Sequence, residues 1–372
     1  MSGGAFGEHP TEHHGTCPSD VLRARVRELA TVLVETPTPS GNEAALYPFL
    51  TGVLQACGFR VERQMTSLGR ENLVAWRGRS TLLFSAHVDT YPAYTHPEPY
   101  RLRQENDRLI GRGVVDCKGQ IAALLCAVEL VDAPCQIAFV VDEERTALGS
   151  REVRVDAEGA IVLEPTDLRL VIAHAGAIEL EITVYGRAAH GSVPHCGENA
   201  VLKAMRMIQE IERLPFLQQA HPLFPPAPWV TIGKIEGGFD TMVVPNRCSV
   251  QMDIRILPGT SIRAACEQLF ALAAQHGAEL TILDVSEPSE MNAQHPIAQA
   301  VVSAHEAIVG ERPAPCGYYS FTDATHYLQR GLPAVVYGAG NLGVAHSDYE
   351  WVSLGELEIA ARVFAQVIAH WA

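Results

Sequence analysis

Apolar and polar positions divide the chain into two kinds of segment. A first helix fits residues 20–35 and stops at Thr36-Pro37-Thr38-Pro39-Ser40-Gly41, a run of turn formers. Ser40 and Glu43 stand three apart, as a capping box requires, and predict a second helix that ends at Gly58. Four short apolar runs then occur at 81–86, 137–141, 160–163 and 334–337. Each is too short for a helix and apolar on both faces, which suits a strand buried between helix layers. Between the first two lies 119–131, where Ile121, Leu124, Leu125 and Val128 follow helical spacing. The order predicts an α/β layer fold, a central mixed sheet flanked by helices.

The middle of the chain has a different period. Ile178, Leu180, Ile182 and Val184 alternate with Glu179, Glu181 and Thr183, as in a strand with one wet face. A helix over 198–214, strands over 229–235 and around Val250–Met252–Ile254–Ile256, a helix over 261–276 and a strand over 278–285 follow. Strand, helix, strand, strand, helix, strand is the ferredoxin-like order. We therefore expect an inserted α+β domain over 178–288, within a larger domain built from 19–177 and 289–372. A last helix starts at Ser353, with Glu356 three later, and runs to Trp371. Residues 1–18, which include His9, His13 and His14, read as a mobile polar tail.

Composition narrows the function. The 372 residues are 47 % hydrophobic, yet no apolar run reaches the length of a membrane span, and the start lacks signal-peptide order. Nine cysteines without a CxxC pair suggest free thiols in a reducing compartment, so a cytoplasmic location is expected. A net charge of −15 disfavours a nucleic-acid partner. It also means that an anionic substrate needs a local positive site, from bound metal ions or one or two arginines.

The candidate chemistry follows the buried runs. His87 and Asp89 come after the first, Asp142, Glu143 and Glu144 after the second, Glu164 after the third, and His346 after the fourth and a glycine-rich turn. Ligand sites in open α/β sheets form beyond the carboxyl ends of strands. Each piece alone is ordinary: a His-x-Asp recurs by chance, Glu143-Glu144 could be a solvated pair, and Asp116 could cap a helix. Their ordered combination of His and carboxylate groups suggests a shared cation site. The glycines around Gly111 and Gly113 do not complete a dinucleotide fingerprint, and no GxSxG elbow is present.

Five motifs carry a family resemblance: Ser85-Ala86-His87-Val88-Asp89-Thr90, Gly111-Arg112-Gly113 through Asp116 to Lys118-Gly119, Asp142-Glu143-Glu144, Glu164-Pro165-Thr166 and Ala345-His346. Ala189-His190-Gly191-Ser192 and Gly197-Glu198-Asn199-Ala200 add to it in the insert. From about residue 20 onward the chain resembles the zinc-dependent family of acetylornithine deacetylase, succinyl-diaminopimelate desuccinylase and bacterial glutamate carboxypeptidase. The resemblance implies a zinc-exopeptidase-like catalytic domain with the insert serving as lid and dimerisation domain. It implies two divalent ions, zinc with cobalt or manganese as alternatives. Asp116 would bridge them, His87 and Glu164 completing one site and Glu144 and His346 the other.

The same resemblance makes Glu143 the general base and Asp89 the residue that orients His87. It makes His190 a group that reaches the neighbouring subunit's site and supports the oxyanion, and Arg255 the grip on a substrate carboxylate. Thr322 and Gly340 would add smaller contacts. A cis peptide is expected at Asp116-Cys117. The implied activity is hydrolysis of an N-acyl or peptide bond in a small amino-acid derivative; a deacylase comes first, a carboxypeptidase or dipeptidase second, and a catalytically silent metal-binding protein last. Glu164, rather than an aspartate, leans away from aminopeptidases. Met242 and Cys117 depart from residues common in the family.

Overall fold

A computed structural model describes residues 17–226 and 229–371. The expected tail over 1–18 lies almost wholly outside the described residues. The larger domain is built on a nine-stranded mixed sheet. Across it run Arg60–Met65, Glu71–Arg77, Cys135–Val140, Leu82–His87, Gly159–Val162, Ala334–Val336, Leu170–His174 and Ser289–Glu290, with Pro315–Tyr318 alongside Leu170–His174. The four strands from Cys135–Val140 to Ala334–Val336 are parallel to one another. These are the apolar runs of the sequence, and their side chains enter two separate cores. Leu82, Phe84 and Ala86 pack toward helices Ser19–Glu35, Gly119–Leu130 and Leu354–His370. Leu83, Ala138, Val140, Ala160 and Val162 pack on the other face with Ala324 and Tyr327. Alternation is hidden in the sequence because both faces are covered by apolar groups. Among the described residues no helix is long and apolar enough to cross a membrane.

The insert forms its own four-stranded antiparallel sheet in the order Val230–Gly237, Arg247–Ile256, Gly176–Tyr185, Glu279–Ser286. Helices Ala200–Ile211 and Ile262–Gln275 cover one face, and Ile178, Leu180, Ile182, Val250, Met252 and Ile254 fill the core beneath them. Asn199 and Ser261 cap these helices through their side chains. This is the ferredoxin-like arrangement. Its first strand starts at Gly176, two residues after the main-sheet strand Leu170–His174, and Ser289–Glu290 rejoins the main sheet.

One sequence expectation fails locally. Ser40 and Glu43 do not form a capping box. The Ser40 hydroxyl donates to Asp89 Oδ2 at 2.7 Å, while Glu43 Oε1 accepts from Arg70 Nη1 at 2.8 Å. The α-helix instead starts at Tyr47 with Pro48 in its first turn, where a missing N–H costs nothing. At Ser353 the cap is present: its hydroxyl accepts from the Glu356 N–H at 3.1 Å. The Glu356 carboxylate turns away to accept from the Gly340 N–H at 2.7 Å.

Candidate metal centre

The parallel strands end side by side, and that brings the five proposed ligands together. His87 is the last residue of its strand, and Glu164 follows Gly159–Val162 by two residues. Asp116 enters from the irregular turn before helix Gly119–Leu130. His87, Asp116 and Glu164 form one group whose ligand atoms lie within 4.8 Å of one another; Asp116, Glu144 and His346 form a second. Asp116 belongs to both. Its Oδ1 lies 2.9 Å from His87 Nε2 and its Oδ2 3.3 Å from His346 Nε2. Glu164 Oε1 is 3.7 Å from His87 Nε2, and Glu144 Oε2 is 3.1 Å from His346 Nε2.

The donor set fits two divalent cations on structural grounds. Glu164 Oε1 is buried without a hydrogen-bond partner, although a buried carboxylate is costly unless paired. Burial, with the Asp116 charge adding to it, pushes Glu164 well above the usual carboxylate range. Burial opposes charging of His346, but its hydrogen bonds to Asp116 and Glu144 outweigh this and lift it to about 10. Two imidazoles and three carboxylates, one of them shared, match the nitrogen and oxygen donors that zinc takes.

Around the ligands stands a frame that the sequence motifs only partly disclosed. The Asp89 main-chain carbonyl lies 2.9 Å from His87 Nδ1, whereas its carboxylate is 3.7 Å away. That carboxylate accepts from Ser40 and from the N–H groups of Glu143 and Glu144, both at 3.2 Å. Asp89 thus fixes the loop that carries Glu143 as well as the His87 ring. Arg112 and Glu350, both buried, pair at 2.8 Å. Arg112 also donates to the His346 carbonyl at 3.2 Å, and Glu350 accepts from the N–H groups of Val115 at 3.1 Å and Asp116 at 3.4 Å. The Tyr91 ring stacks on His346 with centroids 4.1 Å apart and planes 10° from parallel, and its N–H donates to Glu144 at 2.9 Å. Sequence reading missed Ser40, Tyr91 and Glu350 as parts of the site. For Tyr91 the signal was present, two residues after Asp89; for Glu350 there was none.

Glu143 is half-buried, and among the described residues its carboxylate has no hydrogen-bond partner. It lines a cavity of about 250 Å³ with Asp116, Glu144, Glu164 and His346. It also lines an adjoining cleft of about 670 Å³ that reaches Arg255 on the insert. Burial and then the charges of Glu164, Asp323 and Glu144, partly offset by His87, hold its carboxyl well above the usual range. Arg255 Nε pairs with Asp253 at 2.8 Å, and its Nη1 donates to the Tyr319 carbonyl at 3.2 Å. His190 is exposed and lines neither cavity; its Nδ1 accepts from the Ser192 N–H at 3.2 Å.

The Thr322 hydroxyl is buried, 2.9 Å from His174 Nε2, and accepts from the Ala324 N–H at 3.3 Å. Gly340 has φ +82°, and a Cβ there would meet Val115 Cγ2 at 2.4 Å, so only glycine fits. Asp116-Cys117 is the cis peptide expected. The Cys117 thiol is buried and donates to the His87 carbonyl at 3.1 Å; burial pushes it up to about 12, so it stays protonated. Met242 is exposed, and its carbonyl accepts from the Gly191 N–H at 2.6 Å.

Comparison with known proteins agrees with this geometry. Acetylornithine deacetylase of Yersinia pseudotuberculosis is 30 % identical, over 92 % of this chain and 97 % of that protein. A tripeptidase from Staphylococcus aureus has a similar structure, with TM-score 0.78, 19 % identity and coverage of 93 % and 97 % of the two chains. So does an M20 family metallo-carboxypeptidase from Sulfolobus solfataricus, with TM-score 0.73, 15 % identity and coverage of 93 % and 99 %. The profile described as Peptidase family M20/M25/M40 matches residues 83–370, and with the deacetylase match it shows that the chain belongs to this family of metal-dependent hydrolases.

Proposed function

We propose that the chain is a deacylase of N-acyl amino acids, of the acetylornithine deacetylase kind, that acts with two zinc ions as a cytoplasmic homodimer. The observation that carries the reading is the shared Asp116 between two ligand triads, with an unpartnered Glu143 on the same cavity. The name of the 30 % identical relative supports the deacylase over the peptidase alternative.

Two divalent cations in these triads would supply Lewis acidity, polarising the scissile carbonyl and acidifying water. His87, Asp116 and Glu164 would hold one, and Asp116, Glu144 and His346 the other. Glu143 takes the proton from the attacking water and passes it to the leaving amine nitrogen. Asp89 keeps the Glu143 loop and the His87 ring in place. Arg255 binds the substrate carboxylate across the cleft, and Thr322 and Gly340 shape the loops that line it. His190 serves the partner's site as an oxyanion donor, which its exposed position within one chain favours. The edge strand Val230–Gly237 pairs only with Arg247–Ile256 among the described residues and exposes Ile232 and Ile235, which supports dimerisation through the insert.

The test is a panel of N-acyl amino acids and dipeptides given to metal-loaded protein and to Glu143→Gln. Wild type should release the free amino acid, and the variant should keep two ions per chain while losing turnover by ~10²-fold or more. No turnover by metal-replete wild type, or full turnover by the variant, overturns the proposal.

A further inference from the structure

Four arginines line the cleft next to the metal cavity: Arg145, Arg151, Arg255 and Arg330. Three of them are engaged. Arg151 Nε lies 2.9 Å from His326 Nε2. Arg330 Nη1 donates to the carbonyls of Arg151 at 3.2 Å and Val153 at 2.8 Å. Arg255 Nε pairs with Asp253 at 2.8 Å. Arg145 alone among these four makes no side-chain hydrogen bond or ion pair with any described residue, although it directly follows Glu144. It is exposed, and it borders both the metal cavity and the cleft. Its backbone is fixed by the N–H bond to the Asp142 carbonyl at 3.3 Å, in the same turn that sets Glu143 and Glu144. The cleft is also lined by Glu143, Glu179, Asp253, Asp284 and Glu287, and Arg145 is the one of its four arginines with no side-chain partner among the described residues.

We propose that Arg145 is a specificity-determining residue that binds a second carboxylate, so that the preferred substrate is an N-acyl amino acid with an extra anionic group on its side chain or acyl arm. This rests on the hydrolase reading of the same site. Arg255 and Arg145 come from the insert and from the catalytic loop, and both line the cleft that Glu143 also lines. One grips the carboxylate beside the scissile amide, and the other reads the far end. A guanidinium offers a planar pair of N–H donors that matches a carboxylate, and an amide of the same shape cannot replace that charge. The mouth therefore discriminates by charge at nearly constant volume.

The experiment uses matched pairs that differ only in that charge. For turnover the pairs are N-acetyl-glutamate with N-acetyl-glutamine, and an N-succinyl amino acid with its succinamoyl analogue. For binding without turnover they are succinate, glutarate and adipate, each against its monoamide, titrated calorimetrically into the metal-loaded protein. Wild type should favour the charged member of at least one pair by about tenfold or more, and Arg145→Gln should collapse that ratio to near one, with Arg145→Lys in between. Two ions per chain in each variant, read by elemental analysis, exclude a collapsed site. An equal ratio in wild type and Arg145→Gln, or no charge preference in any pair, overturns the proposal. Charge-selective binding that depends on Arg145, but without hydrolysis of any amide, upholds the anion site and refutes only the deacylase reading.

Discussion

Removing the Arg112 guanidinium, as in Arg112→Met, should damage both stability and metal binding. The side chain is 1 % exposed and Glu350 is 0 % exposed, so the substitution leaves a carboxylate in the interior with its cation gone. Breaking a buried pair by deleting one partner costs about 3–5 kcal/mol. With a urea slope of a few kcal/mol per molar for a domain of this size, the midpoint should fall by on the order of 1 M. The loss is not only global. Arg112 holds the His346 carbonyl at 3.2 Å, and Glu350 holds the Val115 N–H at 3.1 Å and the Asp116 N–H at 3.4 Å, so two ligand loops lose their common tie. The assay pairs urea denaturation of metal-free protein with elemental analysis after dialysis against limiting zinc. Adding Glu350→Leu to Arg112→Met should restore much of the stability, because the orphaned charge is gone. It should not restore metal content, because the three main-chain groups still lack their partners. A single variant that loses under about 1 kcal/mol and binds both ions like wild type would refute the reasoning.

Tyr91→Ala uncovers the His346 ring and should weaken one ion about 10–100-fold while leaving the other, so that zinc-limited samples hold fewer than two ions per chain; unchanged affinities for both would sink this. His174 is buried, and burial lowers its pKa to about 4. The unfolded chain takes up that proton near 6.5 and the folded chain only near 4. Stability from this group is therefore present above about pH 6.5 and lost as pH falls toward 4, by roughly 3 kcal/mol. Comparing His174→Gln with wild type at pH 7 and pH 4.5 checks it, since the variant should lose less on acidification. His190→Ala should lower turnover with metal content intact, and mixing His190→Ala chains with Glu143→Gln chains should recover activity that neither has alone. Mixed samples with no such recovery would place His190 outside the partner's site.

Local patterns in this chain made much of the site legible. The four buried strands were readable because parallel strands covered on both faces are apolar throughout, and the polar residues that follow the runs, directly at His87 and Glu164 and after a turn at His346, marked the site. The clean alternation of 178–185 was readable for the opposite reason, since one face of the insert sheet is left polar. Strands such as Arg60–Met65 and Leu170–His174 were not assigned: the first is a half-exposed edge strand with charged residues, and the second runs straight toward the insert. The Ser40 cap misled because a hydroxyl three residues before a glutamate has the right spacing whether it bonds along the chain or across it.

Residue order by itself determined the element types, the two-part architecture and the supply of histidine and carboxylate groups at strand ends, because periodicity and strand-end position are local properties. Only the folded chain decided how those groups share their work. The Ser40–Asp89 bond spans 49 residues and the Arg112–Glu350 bond 238, and each exists because the strand order sets distant loops side by side. Among the described residues the same packing left Arg145 unpaired and Arg255 paired, although both are arginines one or two residues beyond an acidic group. Charge partners depend on distances of a few ångströms, and those are a property of the assembled sheet and its loops.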